Sequence, residues 1–334
     1  MSILVFIDHS QGVAKPASWE VLGKARELAG ALGLPVVGLV AGYGVDGLAN
    51  EAVAYGANRV LVADEPSLAQ FRVHATAAVL RAAIEVTAPR FVVGPATSGA
   101  RDAFALVACE LGIGLAPDCQ ALGLTDGGGL AADRAVFSGN ILTTVVFQGS
   151  PQQESTLCIM ATVRPRSYAI PPRDARRSGE IMPLGMPVEG LADCEEVLEL
   201  EPTQTGEVSV ENAGIIIAGG RGVKGPEGFG PLRELAQMLG GAVGASRAAV
   251  DAGWIAYPAQ VGQTGKAVRP DLYIACGISG AIQHLAGLSG TRVVVAVNKD
   301  RDAPIFGIAQ YGVVGDLFEV ISALTEAFRA RLGR

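Results

Sequence analysis

Short, fully apolar stretches alternate with longer amphipathic ones along the first half of the chain. Ile3–Ile7, Val36–Val40, Arg59–Val62 and Phe91–Val93 read as strands with almost no polar residue to face water. Strands of that kind are buried on both faces, the pattern of a parallel sheet. Between them, Ser18–Leu32 spaces Val21, Leu22, Ala25, Leu28, Ala29 and Leu32 as one face of a helix, and Ser67–Val86 reads as a second helix, stopped by Pro89. Each crossover is long enough for a helix, so the arrangement is βαβ and the sheet parallel.

From Cys119 the period changes. Leu122–Leu124, Ala131–Phe137, Ile141–Phe147 and Leu157–Val163 are separated by turns rather than helices, and read as hairpin-linked strands that extend the first sheet. Residues 164–206 then turn to Pro, Glu and Arg, with Pro165, Pro171, Pro172, Pro183, Pro187 and Pro202, which excludes a continuous helix. The acidic run Glu195, Glu196, Glu199 and Glu201 can form at most an edge strand. Strands resume at Ala213–Ala218, Ala242–Ala245, Leu272–Ala275 and Val293–Val297, and an amphipathic helix closes the chain over Leu317–Leu332. The fold class is therefore α/β in two domains. Residues 1–163 form an N-terminal parallel-sheet α/β domain with added hairpin strands, 164–206 a Pro-rich linker with an edge strand, and 207–334 a doubly wound C-terminal domain.

Composition narrows the chemistry. A net charge of −7 without a basic cluster argues against nucleic acid as partner. Five cysteines (Cys109, Cys119, Cys158, Cys194, Cys276) include no Cys-x-x-Cys pair, so neither a zinc spacing nor a disulfide framework is present. The longest apolar stretches are too short and Gly-broken to span a bilayer. Met1-Ser2 runs directly into a strand, and the expected location is a bacterial-type cytoplasm. Of 44 glycines, 21 fall between positions 206 and 315, so the second domain is where a backbone-hugging ligand is expected.

Three groups of residues in that domain follow strands. Gly219-Gly220-Arg221-Gly222 leads into a helix read at Leu232–Leu239, the geometry that offers free N–H groups to an anion, although a plain tight turn accounts for it as well. Arg221 favours phosphate. Ser246 and Arg247 follow the second strand, and Gln260-Val261-Gly262-Gln263-Thr264-Gly265-Lys266 is a polar glycine loop. Cys276-Gly277-Ile278-Ser279-Gly280-Ala281-Ile282-Gln283-His284 reads as strand end, turn and short helix, with Ser279 as its cap and Gln283 and His284 one turn later.

The string Leu272–Gly287, together with Gly219–Gly222, Val243–Gly253, Gln260–Lys266, Val297–Asp300 and Tyr311–Phe318, closely resembles the FAD-binding domain of the electron-transfer flavoprotein alpha subunit. The resemblance covers the whole second domain and extends more loosely over the first, where the Gly94–Asp102 turn fits. It implies a flavodoxin-like FAD-binding domain and contacts to FAD from Arg221, Ser246, Arg247, Val261, Gly262, Gln263, Thr264, Ser279, Gly280, Ala281, Ile282, Gln283, His284, Asn298, Asp316 and Leu317. In such proteins Thr264 lies near the flavin N5, His284 near the C2 carbonyl and Arg247 over the ring, with Asn298 and Asp316 towards the adenosine end. A cationic or donating His284 and the Arg247 guanidinium would then favour the more negative, reduced flavin.

Simpler roles stand beside these. Arg247 can pair with Asp251 four residues on, Asp316 can cap the last helix, Lys299 and Asp300 can form a solvated turn, and Cys276 can be buried and unreactive. The resemblance further implies an electron carrier rather than an enzyme. Its expected partners are an electron-transfer flavoprotein beta subunit in a heterodimer, acyl-CoA or other flavin dehydrogenases as donors, as in fatty acid oxidation, and a quinone oxidoreductase or other acceptor downstream. A shuttle-flavin subunit of a bifurcating NADH/ferredoxin complex is the alternative within the family. A non-redox nucleotide-binding regulatory protein is the alternative outside it.

Overall fold

The apolar runs become the interior strands of two separate sheets. The structure, a computed structural model, describes residues 1–136, 141–147, 158–185, 195–199, 208–288 and 290–333. It divides into a first unit of Met1–Ala135 with Leu142–Glu201 and a second of Val136–Ile141 with Pro202–Arg334. Cys194, Pro187, Pro202, Glu201, Phe137 and Leu157, used above, lie outside the described residues.

In the first unit the elements run β1 (Ile3–Phe6), β2 (His9–Ser10), β3 (Val13–Ala14), α1 (Pro16–Leu32), β4 (Val36–Gly42), α2 (Asp46–Tyr55) and β5 (Arg59–Asp64). They continue as α3 (Val73–Thr87), β6 (Phe91–Pro95), α4 (Ser98–Leu111), β7 (Gly114–Leu124), β8 (Leu130–Val136), β9 (Ile141–Val146), β10 (Ile159–Val163) and β11 (Glu180–Pro183). Nine strands form one sheet in the order β11-β5-β4-β1-β6-β10-β7-β8-β9, parallel from β11 to β7 and antiparallel at β7–β8. Alternation along β1 explains its double burial. Ile3 and Val5 pack with α1 and α2, while Leu4 and Phe6 pack with α3 and α4.

Several expectations are corrected. The helix read over Ser67–Val86 is a 3₁₀ turn at Pro66–Leu68 followed by α3, which stops at Thr87 because Ala88 takes a left-handed conformation (φ 41°) just before Pro89. Within the Gly94–Asp102 turn, α4 already begins at Ser98, and α2 was not read at all. The last of the four turn-linked strands is not a hairpin extension: β10 crosses back and inserts between β6 and β7, parallel to both. Its residues are all buried, as an interior strand requires.

The start of the Pro-rich stretch is also tied to this sheet. The Tyr168 hydroxyl accepts the Leu122 N–H, Pro171 lies against Gly23, and Asp174 N–H donates to the Ala54 carbonyl. The edge strand is β11, parallel to β5, rather than the acidic run. Tyr168→Phe leaves the Leu122 N–H without its acceptor and should cost about 1 kcal/mol. Thermal unfolding should register that loss together with faster protease cleavage within residues 164–179; unchanged values for both would contradict the packing.

The second unit contains β12 (Ile215–Gly219), α5 (Phe229–Leu239), β13 (Ala242–Ala245), α6 (Arg247–Asp251), β14 (Leu272–Cys276), α7 (Ile282–Leu285), β15 (Val293–Asn298), β16 (Tyr311–Val314) and α8 (Leu317–Leu332). Its five strands are all parallel in the order β13-β12-β14-β15-β16. Counted from the start of this unit the order is 2-1-3-4-5, the flavodoxin-like doubly wound arrangement. Ile216, Ala218, Tyr273 and Ala275 pack on one face, and Ile217, Phe229, Leu232 and Ile321 on the other. The last helix spans the expected Leu317–Leu332, with Asp316 accepting from the Phe318 N–H at 2.8 Å. No helix among the described residues is long and apolar enough to cross a membrane.

Candidate flavin site

The chain reverses its direction across the second sheet between β12 and β14, and ligands of open α/β sheets bind outside the carboxyl ends of the strands at that switch point. A cavity of about 500 Å³ lies there. Of the residues proposed from the sequence it gathers Arg221, Ser246, Arg247, Val261, Gly262, Gln263, Thr264, Ser279, Ala281, Gln283 and His284.

Close backbone approach builds this wall. A Cβ on Gly222 would sit 2.6 Å from the Gly277 Cα, and one on Gly220 2.3 Å from the Gly277 carbonyl oxygen, so the loops after β12 and β14 lie directly on each other. The Gly222 N–H donates to the Gly277 carbonyl at 3.0 Å. The loop after α6 is pinned in the same way: Gly262 has φ 145°, and a Cβ on Gly287 would meet its N at 2.5 Å. Gln263 N–H donates to the Gln283 carbonyl at 2.7 Å, bringing the Gln260–Lys266 loop beside His284.

Ser279 does not cap the following helix. Gly280 at φ 86° turns the chain first, so α7 begins only at Ile282 with Ala281 in the capping position. The Ser279 carbonyl instead accepts the Ile305 N–H at 3.0 Å. Among the described residues no acceptor is recorded for the Ser279, Gly280 and Ala281 N–H groups.

His284 is buried, and its Nε2 lies 3.0 Å from the hydroxyl of Tyr273, itself fully buried. Desolvation lowers the imidazole pKa to about 4, only partly opposed by the Val261 carbonyl. The ring is therefore neutral at pH 7 in the flavin-free chain. Among the described residues the Tyr273 hydroxyl has no other acceptor, so it donates to Nε2, and the proton then sits on Nδ1, which the Val261 carbonyl approaches.

Other expected residues play different parts. Gln260 is buried, holds the Thr264 hydroxyl through its Nε2 at 3.1 Å, and lines the cavity, a role its place in a polar loop concealed. Tyr273 was likewise missed, because a tyrosine inside an apolar strand reads as core. Arg247 pairs with Asp251 at 3.3 Å, yet both side chains stay largely exposed at the cavity mouth, so the pair leaves the guanidinium accessible. Asn298, Asp316, Leu317, Gly280 and Ile282 do not line the cavity. Asn298 Nδ2 donates to the Ile278 carbonyl at 2.9 Å, Asp316 caps α8 and pairs with Lys299 at 2.8 Å, Leu317 is core, and Ile282 is exposed. Lys299 and Asp300 lie exposed in a bend, as expected, with Lys299 paired to Asp316. Burial pushes the Cys276 thiol up to about 12, which makes it inert.

A switch-point cavity made of paired glycine loops, two guanidinium groups and a buried neutral imidazole defines a dinucleotide-binding α/β protein. Residues 3–185 match the electron transfer flavoprotein domain and residues 209–289 the electron transfer flavoprotein FAD-binding domain. The chain is 40% identical over 327 residues to the electron transfer flavoprotein subunit alpha of Thermoanaerobacterium thermosaccharolyticum, covering 98% of this chain and 97% of that one. The subunit alpha of Bacillus subtilis is 41% identical over 328 residues, with 98% and 97% covered. Protein FixB of Azotobacter vinelandii is 42% identical over 337 residues, with 99% and 92% covered. The chain belongs to the electron transfer flavoprotein alpha-subunit family, and the cofactor of its second unit is FAD.

Proposed function

We propose that this chain is the FAD-carrying subunit of a heterodimeric electron carrier, paired with a beta-type subunit in a cytoplasmic setting. Flavin dehydrogenases such as acyl-CoA dehydrogenases would be the donors and a quinone oxidoreductase or similar protein the acceptor. When bound, FAD supplies the redox chemistry, and the protein supplies binding, orientation and electrostatics. Arg221 and the N–H groups of Ser279–Ala281 would hold the pyrophosphate, and Thr264, His284 and Arg247 would contact the flavin. Asn298 and Asp316 belong to the adenosine end. The observation that carries this reading is the switch-point cavity that brings Arg221, Arg247, Thr264 and His284 together with the loop Gly277–Ala281.

Residues 1–163 and 207–334 are the proposed domains, with the connection between them in 164–206. Residues 164–183 pack on the first sheet. Co-expression with a beta-type subunit, followed by visible spectra during stepwise reduction, tests the function. A yellow complex that accepts electrons from a flavin dehydrogenase and passes them to a second protein is expected; a colourless complex would overturn the proposal.

A further inference from the structure

Gln260 stands out in the second unit as a buried side-chain amide. It is 3% exposed, and an amide taken out of water costs free energy unless it is hydrogen-bonded. The backbone fixes its place. Gln260 bridges Ala245 in parallel at the end of β13, and the Val261 N–H donates to the Ala245 carbonyl at 2.9 Å. The chain then folds straight back: the Lys266 N–H donates to the Gln260 carbonyl at 2.7 Å, and a Cβ on Gly265 would lie 2.4 Å from that oxygen. This closure sets Thr264 beside the Gln260 amide.

Thr264 is held from two directions. The Tyr257 hydroxyl donates to its carbonyl at 2.7 Å, and Gln260 Nε2 donates to its Oγ1 at 3.1 Å. A hydroxyl has one hydrogen to donate and two lone pairs with which to accept. The Gln260 amide takes one lone pair and leaves the hydrogen free, because among the described residues the Thr264 hydroxyl donates to none. Thr264 is itself exposed, and it and Gln260 both line the switch-point cavity. The hydrogen is thus available to whatever fills that cavity. A hydroxyl that accepts from an amide is also the stronger donor, since linked hydrogen bonds polarise one another. Without the amide the same hydroxyl could turn and accept instead.

We propose that Gln260 is a positioning residue that commits the Thr264 hydroxyl to donate, so that Thr264 selects an acceptor atom on the flavin ring; this rests on the FAD reading above. The test uses the FAD-loaded heterodimer at pH 8, with the flavin ring isotope-labelled in carbon and nitrogen. Thr264→Val removes the hydroxyl and identifies by NMR the ring signal that it touches. Gln260→Glu puts a group that only accepts in place of the donor and draws the hydroxyl hydrogen to itself. It should move the same signal and weaken FAD binding about tenfold, the worth of one hydrogen bond. Gln260→Met neither donates nor accepts, and should move that signal part of the way. In the Thr264→Val background Gln260→Met should move it no further, a coupling that mere support of the loop would not produce. An unmoved signal in both Gln260 variants, equal movement with and without the hydroxyl, or complete loss of FAD from both variants would each overturn the positioning role. A heterodimer of the unaltered chain that takes up no FAD would overturn the FAD reading, and this assignment with it.

Discussion

Gly280→Ala is expected to yield a chain that no longer retains FAD and is destabilised by about 3 kcal/mol or more. Two independent costs act at this position. The backbone sits at φ 86°, where an L side chain is strained by about 1–3 kcal/mol. The added Cβ would also lie 2.3 Å from the Ile305 N and 2.6 Å from its Cα, contacts with backbone that no rotamer change relieves. Relief requires the 278–281 turn to part from residues 304–305, which breaks the bond from Ile305 N–H to the Ser279 carbonyl and displaces Ser279 and Ala281 at the cavity wall. Gly230→Ala is the matched control, because it lies in α5 with nothing within 4 Å of the added carbon and should be neutral or slightly stabilising. Flavin content and unfolding midpoints of the two variants decide the matter; equal FAD retention in both would contradict the cradle described here.

That pair of glycines also marks how far the sequence could be read. The excess of glycine in the second domain pointed to the loops that wall the cavity, but part of it has another cause. Gly222 against Gly277 and Gly262 against Gly287 are backbone-on-backbone contacts within the protein, so much of the enrichment serves loop packing that in turn shapes the cavity. Periodicity located β1, β4, β6 and the last helix because their apolar patterns are strong. It failed for α2 and α4, whose runs of small residues carry little helical contrast, and for β16, an edge strand of Tyr, Gly and two Val with every residue exposed. The insertion of β10 between β6 and β7 is a long-range pairing, and nothing local in Ile159–Val163 announces it. His284 was identified from the motif, but its charge state could not be, since neutrality follows from burial beside Tyr273 rather than from any neighbour in sequence.

That neutrality has a measurable consequence for the flavin-free chain. With a folded pKa near 4, below the value of about 6.5 for an unperturbed histidine, the unfolded chain takes up the proton first as pH falls. The stability associated with a neutral His284 is therefore complete above about pH 6.5 and is lost progressively as pH drops towards 4, by about 3 kcal/mol in all. Urea unfolding followed by Trp254 fluorescence in a Trp19→Phe background confines the readout to the second unit, because these are the chain's two tryptophans. His284→Asn should flatten this part of the pH profile, at the expense of lower stability at pH 7, since the Tyr273 hydroxyl loses the acceptor at its present position. In the FAD-loaded protein the imidazole should remain an uncharged donor, so the spectrum of the bound oxidised flavin should be constant between pH 5.5 and 8. A spectral transition centred near pH 6.5 that disappears in His284→Asn would mean that the ring is cationic beside the flavin after all, and that burial by the loops after β12 and β14 does not control it.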